Sequence, residues 1–159
     1  MGWRIEEKSE GDRSTLGFVG ELTEDSEFGN LHERLRRQVD FNLSQVSRIN
    51  SCGVREWIRF MNRLQGKEVR FQECSVSMVD QMNMISNFRG AARIDSFFAP
   101  FICPTCQREQ EVLLRTDQVK TQKTLVIPSV TCEVDGTELQ FDDLEDVYFS
   151  FLSDMPGHG

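Results

Sequence analysis

The sequence predicts an α/β domain followed by a smaller β-rich unit and a closing helix. Three observations predict it. Through residue 98, runs with period-two apolar alternation trade places with runs of helical spacing, as strands and helices do in a layered sheet. After Pro100 the helical spacing gives way to cysteine-bearing turns flanked by β-like runs. The final apolar stretch, FDDLEDVYFSFL (141–152), returns to helical spacing. The expected units are therefore 1–99 and 100–152, with a polar tail over 153–159 expected to be disordered.

In chain order, WRIEE (3–7) and STLGFVG (14–20) read as a hairpin that turns near Gly11-Asp12. SEFGNLHERLRRQ (26–38) reads as a helix through Leu31 and Leu35, weakened by Gly29. QVDFNLS (38–44) alternates Val39, Phe41 and Leu43 and reads as a strand. Val54, Trp57, Ile58, Met61 and Leu64 share one helical face, and Gly66 closes that helix. EVRFQEC (68–74) is a further strand. SVSMVDQMNMISNF (75–88) is a helix whose Met78, Met82 and Ile85 read as core packing. ARIDSFF (92–98) predicts a last strand. In the closing helix, Asp142 or Asp143 is the expected cap, with Leu144, Val147, Tyr148, Phe151 and Leu152 facing inward.

Composition narrows the function. The net charge of −8 argues against nucleic acid and anionic membranes, which need clustered Lys and Arg. FFAPFI (97–102) is the longest apolar run, far short of a membrane span, and no secretory signal is expected. Five cysteines without an export signal suit a reducing, cytoplasmic setting better than a disulfide framework.

QVSRINSCGVREWIRF (45–60) runs from a polar stretch straight into the second helix. Three roles compete for Ser51. As a nucleophile it needs a base, and the chain has only His32 and His158; NSCG also lacks the nucleophile-elbow pattern. As a cap, Ser51 or Asn50 accepts a bond from a first-turn amide. As a switch, a phosphate on Ser51 meets the unpaired amides of a helix start, with Arg48 and Arg55 close in sequence.

FVGELTEDS (18–26), FNLSQVSRINSCGVREW (41–57) and GKEVRFQECSVSMVDQMNMISNF (66–88), in this order, resemble the STAS domains of bacterial anti-anti-sigma factors, over roughly residues 3 to 98. The resemblance implies a mixed sheet with helices packed on it. It also implies a non-enzymatic regulator that binds an anti-sigma factor with a serine-kinase fold. The family's phosphorylatable serine falls on Ser51, and its partner surface on Arg48, Asn50, Cys52, Gly53 and Arg55. Asn50 replaces the family's aspartate and Cys52 its second serine, so an unphosphorylated docking module is the alternative. Cys52 reads as a half-buried small residue or as a redox-sensitive thiol at a helix start.

Cys103-Pro-Thr-Cys106 is followed, after residues 107–131, by Cys132-Glu-Val-Asp135-Gly136. Residues three apart on a tight turn converge on a metal, and a carboxylate can replace a thiolate. The segment resembles a zinc-ribbon tail with one cysteine replaced, which implies a structural zinc on Cys103, Cys106, Cys132 and Asp135. A metal-free ribbon held by packing is the plainer alternative. A thiol oxidoreductase using Cys103 and Cys106 is the distant one, and it leaves Cys132 unexplained. The acidic surroundings suit protein contact, and the aromatic residues of the closing segment ask for cover from the rest of the chain or from a second copy.

Overall fold

A computed structural model describes residues 2–121 and 124–153. Strands β1 (Arg4–Glu10) and β2 (Arg13–Leu22) form the antiparallel hairpin expected around Gly11-Asp12. β3 (Gln38–Ile49), β4 (Glu68–Gln72) and β5 (Arg93–Ile94) then add in parallel, giving a mixed sheet ordered β1-β2-β3-β4-β5. The period-two pattern explains its orientation. Leu16, Phe18, Val39, Phe41, Leu43, Val69 and Phe71 are buried on one face, while alternating positions carry Arg13, Gln38, Asn42 and Arg70.

Helix α2 (Ser51–Asn62) covers that apolar face. Its Trp57 ring lies 5.3 Å from Phe18 and 5.8 Å from Phe41, and its indole N–H donates to the Phe88 carbonyl at 3.0 Å. Phe60 stacks on Phe28 at 4.4 Å. Helix α3 (Val76–Met84), capped by Ser75, buries Met78 and Met82, as the methionine spacing predicted, together with Val79. It stops short of the expected 88, and Ile85 is extended and half-buried at its end.

The helix expected over 26–38 shrinks to one turn, α1 (Leu31–Arg34). Leu35 is already extended, and the Arg36 amide donates to Ser14 Oγ at 2.9 Å, which draws the chain onto β2. Leu31 and Leu35 are still both buried. β3 runs beyond residue 44 because β2 continues to pair with it as far as Leu22 and Ile49.

The last expected strand, 92–98, divides between two sheets. Asp95 donates its amide to Phe71 at 2.9 Å, ending β5, and β6 (Ser96–Ile102) then joins a second sheet. There it pairs antiparallel with β7 (Glu109–Arg115), which leads into the short helix α4 (Thr116–Val119). β8 (Lys120–Thr121) and β9 (Thr124–Leu125) form a small hairpin, and β10 (Gln140–Phe141) pairs with the other edge of β6. The second sheet is ordered β10-β6-β7. The Cys74–Phe97 bridge stitches the two sheets together, with Phe98 N–H to the Cys74 carbonyl at 2.8 Å.

The composition change at Pro100 falls inside β6. Proline is tolerated there because its missing N–H lies on the side of β6 that passes from Cys74 to β10, where only its carbonyl is used, by Asp142 N–H at 2.9 Å.

The closing helix is also shorter than its pattern. α5 (Glu145–Tyr148) tightens into a 3-10 turn over Phe149–Leu152. Tyr148, Phe149, Phe151 and Leu152 are buried, but Leu144 and Val147 are 69% and 57% exposed, against expectation. Leu144 lies before the helix in extended backbone, and the tighter turn that starts at Phe149 buries that ring instead. Neither Asp142 nor Asp143 caps α5; the cap position is Leu144, and Asp143 accepts only the Leu144 amide at 2.7 Å. Buried side chains of both halves form one contiguous core. The expected tail lies, beyond Ser153, outside the described residues. Among the described residues no helix is long and apolar enough to cross a membrane.

Candidate functional site

The two cysteine turns are built alike. In the first, the Cys103 amide donates to the Arg108 carbonyl at 3.0 Å and the Gln107 amide to the Cys103 carbonyl at 2.8 Å. In the second, the Cys132 amide donates to Thr137 at 2.7 Å and the Gly136 amide to Cys132 at 2.9 Å. Gln107 and Gly136, one residue beyond Cys106 and Asp135, both take positive φ, 61° and 74°. Glycine makes that conformation easy in the second turn. The repeated bonding puts Asp135 in the position that Cys106 holds in the first turn.

Backbone amides face the sulfurs. Cys106 N–H lies 3.4 Å from Cys103 Sγ, and Val134 N–H lies 3.4 Å from Cys132 Sγ. The Cys106 amide lowers the Cys103 thiol pKa below its ordinary value. The Thr137 amide, 2.9 Å from Asp135 Oδ1, lowers the Asp135 carboxyl likewise. Cys106 is lowered by the Arg108 amide, but the neighbouring Cys103 sulfur, burial and Cys132 outweigh it and the net shift is upward.

The four donor atoms lie within 4.8 Å of one another. Cys106 Sγ is 3.7 Å from Cys132 Sγ, and Cys103 Sγ is 3.5 Å from Asp135 Oδ2. A tetrahedral ion with bonds of about 2.3 Å to sulfur and about 2.0 Å to oxygen needs edges of about 3.8 Å and about 3.5 Å. The donor set therefore fits and could hold a metal ion. Cys103 and Cys132 are buried beneath the turns, while Cys106 and Asp135 are exposed.

The predicted partner surface also comes together. Asn50, not Ser51, caps α2: its Oδ1 accepts the Gly53 amide at 2.7 Å, and its Nδ2 donates to Glu24 Oε2 at 2.9 Å. Ser51 is the exposed first residue of the helix, and its side chain has no hydrogen-bond partner among the described residues. Gly53 has a steric reason. A β-carbon there would stand 2.0 Å from the Leu22 carbonyl oxygen, so only glycine lets the helix start abut the end of β2. Arg48 and Arg55 are exposed, and Arg55 Nη2 lies 3.6 Å from the half-buried Cys52 sulfur. A shallow hollow lined by Glu21, Arg48, Asn50, Ser77 and Asp80 borders this junction. Glu24 is lowered by its bond from Asn50, so a full negative charge stands beside the helix start.

The sequence reading missed Asn83. From α3 its Oδ1 accepts both the Phe151 amide and the Ser150 hydroxyl, and its Nδ2 donates to the Tyr148 carbonyl, each at 2.9 Å. A polar residue inside a methionine-rich helix was the available signal. Compared with protein families and with curated proteins, the chain matches no family model and no curated relative.

Proposed function

We propose that this chain is a non-enzymatic regulatory module of the anti-anti-sigma type, binding an anti-sigma partner of the serine-kinase fold through the start of α2, with Ser51 as its phosphorylated switch. The observation that carries this reading is the division of labour at the junction. Asn50 does the capping and leaves the exposed Ser51 hydroxyl without a structural task. A phosphate there leaves the cap intact, because first-turn amides and nearby arginines accommodate it, whereas a docked partner meets nearly two added negative charges. The mixed sheet with α2 over one face is in keeping with the fold the resemblance implies.

One observation favours the second reading, a docking module that is never phosphorylated. The Glu24 carboxylate, bonded to Asn50 at 2.9 Å, opposes a phosphate at the neighbouring residue. The oxidoreductase reading asks for a helix after Cys106, where the chain instead enters β7.

For the cysteine turns we assign a structural zinc. Three thiolates and a carboxylate suit that ion better than an oxygen-seeking one. Cys103, Cys106, Cys132 and Asp135 would hold it, and it would fasten residues 103–137, which include few buried aliphatic side chains. The five thiols agree with a cytoplasmic setting.

Incubation with candidate serine-kinase-fold partners and ATP, followed by intact-mass and site mapping, tests the switch. Phosphate on Ser51 and weaker partner binding by Ser51→Asp, with Ser51→Ala retaining it, is the expected result. Phosphate on another serine, or unchanged affinity of Ser51→Asp, removes the switch and leaves the docking module.

A further inference from the structure

Among the described residues, strand β7 pairs with β6 on one edge only. The register pairs Ile102 with Glu109, and the Cys103 amide bonds to the Arg108 carbonyl. In an antiparallel ladder the two backbone groups of one residue point to the same side, and the side alternates along the strand. Gln110, Val112 and Leu114 therefore face β6. The backbone groups of Glu109, Glu111, Leu113 and Arg115 face away. The other side of β6 agrees: Phe98 bonds to Cys74 and Pro100 accepts from Asp142, so even-numbered residues of β6 turn from β7. Among the described residues, the outward backbone groups of Glu109, Glu111 and Leu113 have no partner, while the Arg115 carbonyl caps the first turn of α4.

An unpaired edge is a template for another strand unless it is blunted. The outer strand of the first sheet, β1, is blunted by Arg4, Glu6, Glu7, Lys8 and Glu10. β7 also carries exposed charges, Glu109, Glu111 and Arg115, but they are of both signs. It has no lysine, no proline and no bulge along its seven residues, and Leu113 stands 44% exposed on it.

We propose that two copies of this chain pair antiparallel through the free edge of β7, about a twofold axis at Leu113. The alternation of backbone groups allows axes at residues 111, 112 or 113. An axis at Glu111 sets that carboxylate against its own copy. One at Val112 matches Glu109 with Arg115 but sets Leu113 against Glu111. At Leu113, the exposed leucine meets its own copy and Glu111 faces Arg115 twice, so the apolar and charged positions within the strand match, while Glu109 is opposite Asp117, past the end of the strand in α4. Arg115 exchanges its exposed contact with Asp117, at 2.8 Å, for one across the axis. The two three-stranded sheets then form one continuous sheet, an isologous interface that closes after two copies.

Sedimentation equilibrium of the full chain over a concentration series tests this, with circular dichroism melts to confirm that each variant folds. The expected result is a dimer that Leu113→Lys abolishes. Glu111→Arg and Arg115→Glu each weaken it about tenfold, because two attractive pairs become repulsive, and the double swap restores it. Glu109→Arg does not weaken it. A monomer at every concentration overturns the proposal. So does a dimer indifferent to Leu113→Lys, or one that the double swap fails to rescue. A loss with Glu109→Arg equal to that with Glu111→Arg overturns the axis at Leu113.

Discussion

Asn83 on α3 accepts the amide hydrogen of Phe151 at 2.9 Å, a bond between residues on opposite sides of the composition change at Pro100. The same side chain holds Ser150 and Tyr148, and Arg89 adds a bond to the Phe151 carbonyl at 3.1 Å. The aromatic end of the chain is thus anchored on the first sheet's own helix. Phe151 packs edge-on against Phe97 at 5.0 Å beneath it.

Replacing Asn83 with Ala removes three hydrogen bonds and cuts the tie that holds Tyr148, Ser150 and Phe151 to α3. The cost is about 2 kcal/mol, with a fall in Tm of roughly 5 °C by thermal denaturation. Truncation after residue 100 cuts β6 and uncovers Phe97 and α3; it should give an aggregating fragment, scored by light scattering. A soluble, folded fragment would show that the closing segment is dispensable.

Gly53→Ala forces a β-carbon toward the Leu22 carbonyl, and the start of α2 must shift away from β2. A loss on the order of 2 kcal/mol is expected in urea denaturation. Ser51→Ala, at an exposed position without a capping bond, should change stability by less than about 0.5 kcal/mol. Equal effects would mean that the junction is packed differently.

Protein purified without added metal should contain one zinc per chain by elemental analysis. Chelation should lower its Tm, and Cys132→Ser should loosen residues 103–137. Asp135→Cys, which completes a set of four sulfurs, should tighten binding in competition with a chromophoric chelator. Substoichiometric zinc with a Tm indifferent to chelator would mean that packing alone holds the turns. Affinity should fall with acidification, because protons compete for the thiolates.

The fold should weaken in alkali. Burial pushes the Cys74 thiol well above its ordinary value, and burial with the nearby Asp80 charge pushes Tyr148 up as well. Both folded values exceed the unfolded ones, so this contribution is complete below the unfolded values and drains away as pH rises past them. For Cys74 the loss begins near about pH 8.5, with a slope approaching about 1.4 kcal/mol per pH unit. Urea denaturation between about pH 8 and about pH 10 reads the slope, and Cys74→Ala should flatten it.

Much of the first sheet was legible from the chain alone. The alternation of Val39, Phe41 and Leu43, and the spacing of Trp57 and Met61, are local patterns whose period dictates the element that can bury them. The four candidate ligands were legible for a similar reason, since residues three apart on a tight turn converge whatever surrounds them. The α2 junction was legible only in outline. Both Asn50 and Ser51 can cap a helix, and the choice rests on Asn50 reaching both Gly53 and Glu24, a residue distant in sequence.

By itself the sequence determined the strand and helix periods of the first half, the acidic balance and the pairing of each cysteine turn. Tertiary structure decided where those periods stop. The helix over 26–38 gave way to one turn because Ser14, on β2, captures the Arg36 amide. The strand over 92–98 divided because Asp95 bonds to β4 while Ser96 and Phe98 bond to Cys74. The closing helix tightened because Asn83 takes hold of Ser150 and Phe151. Each outcome depends on a hydrogen bond to a residue far away in the chain, and a backbone group buried there must find some partner. Local periodicity carries no information about which distant partner that is.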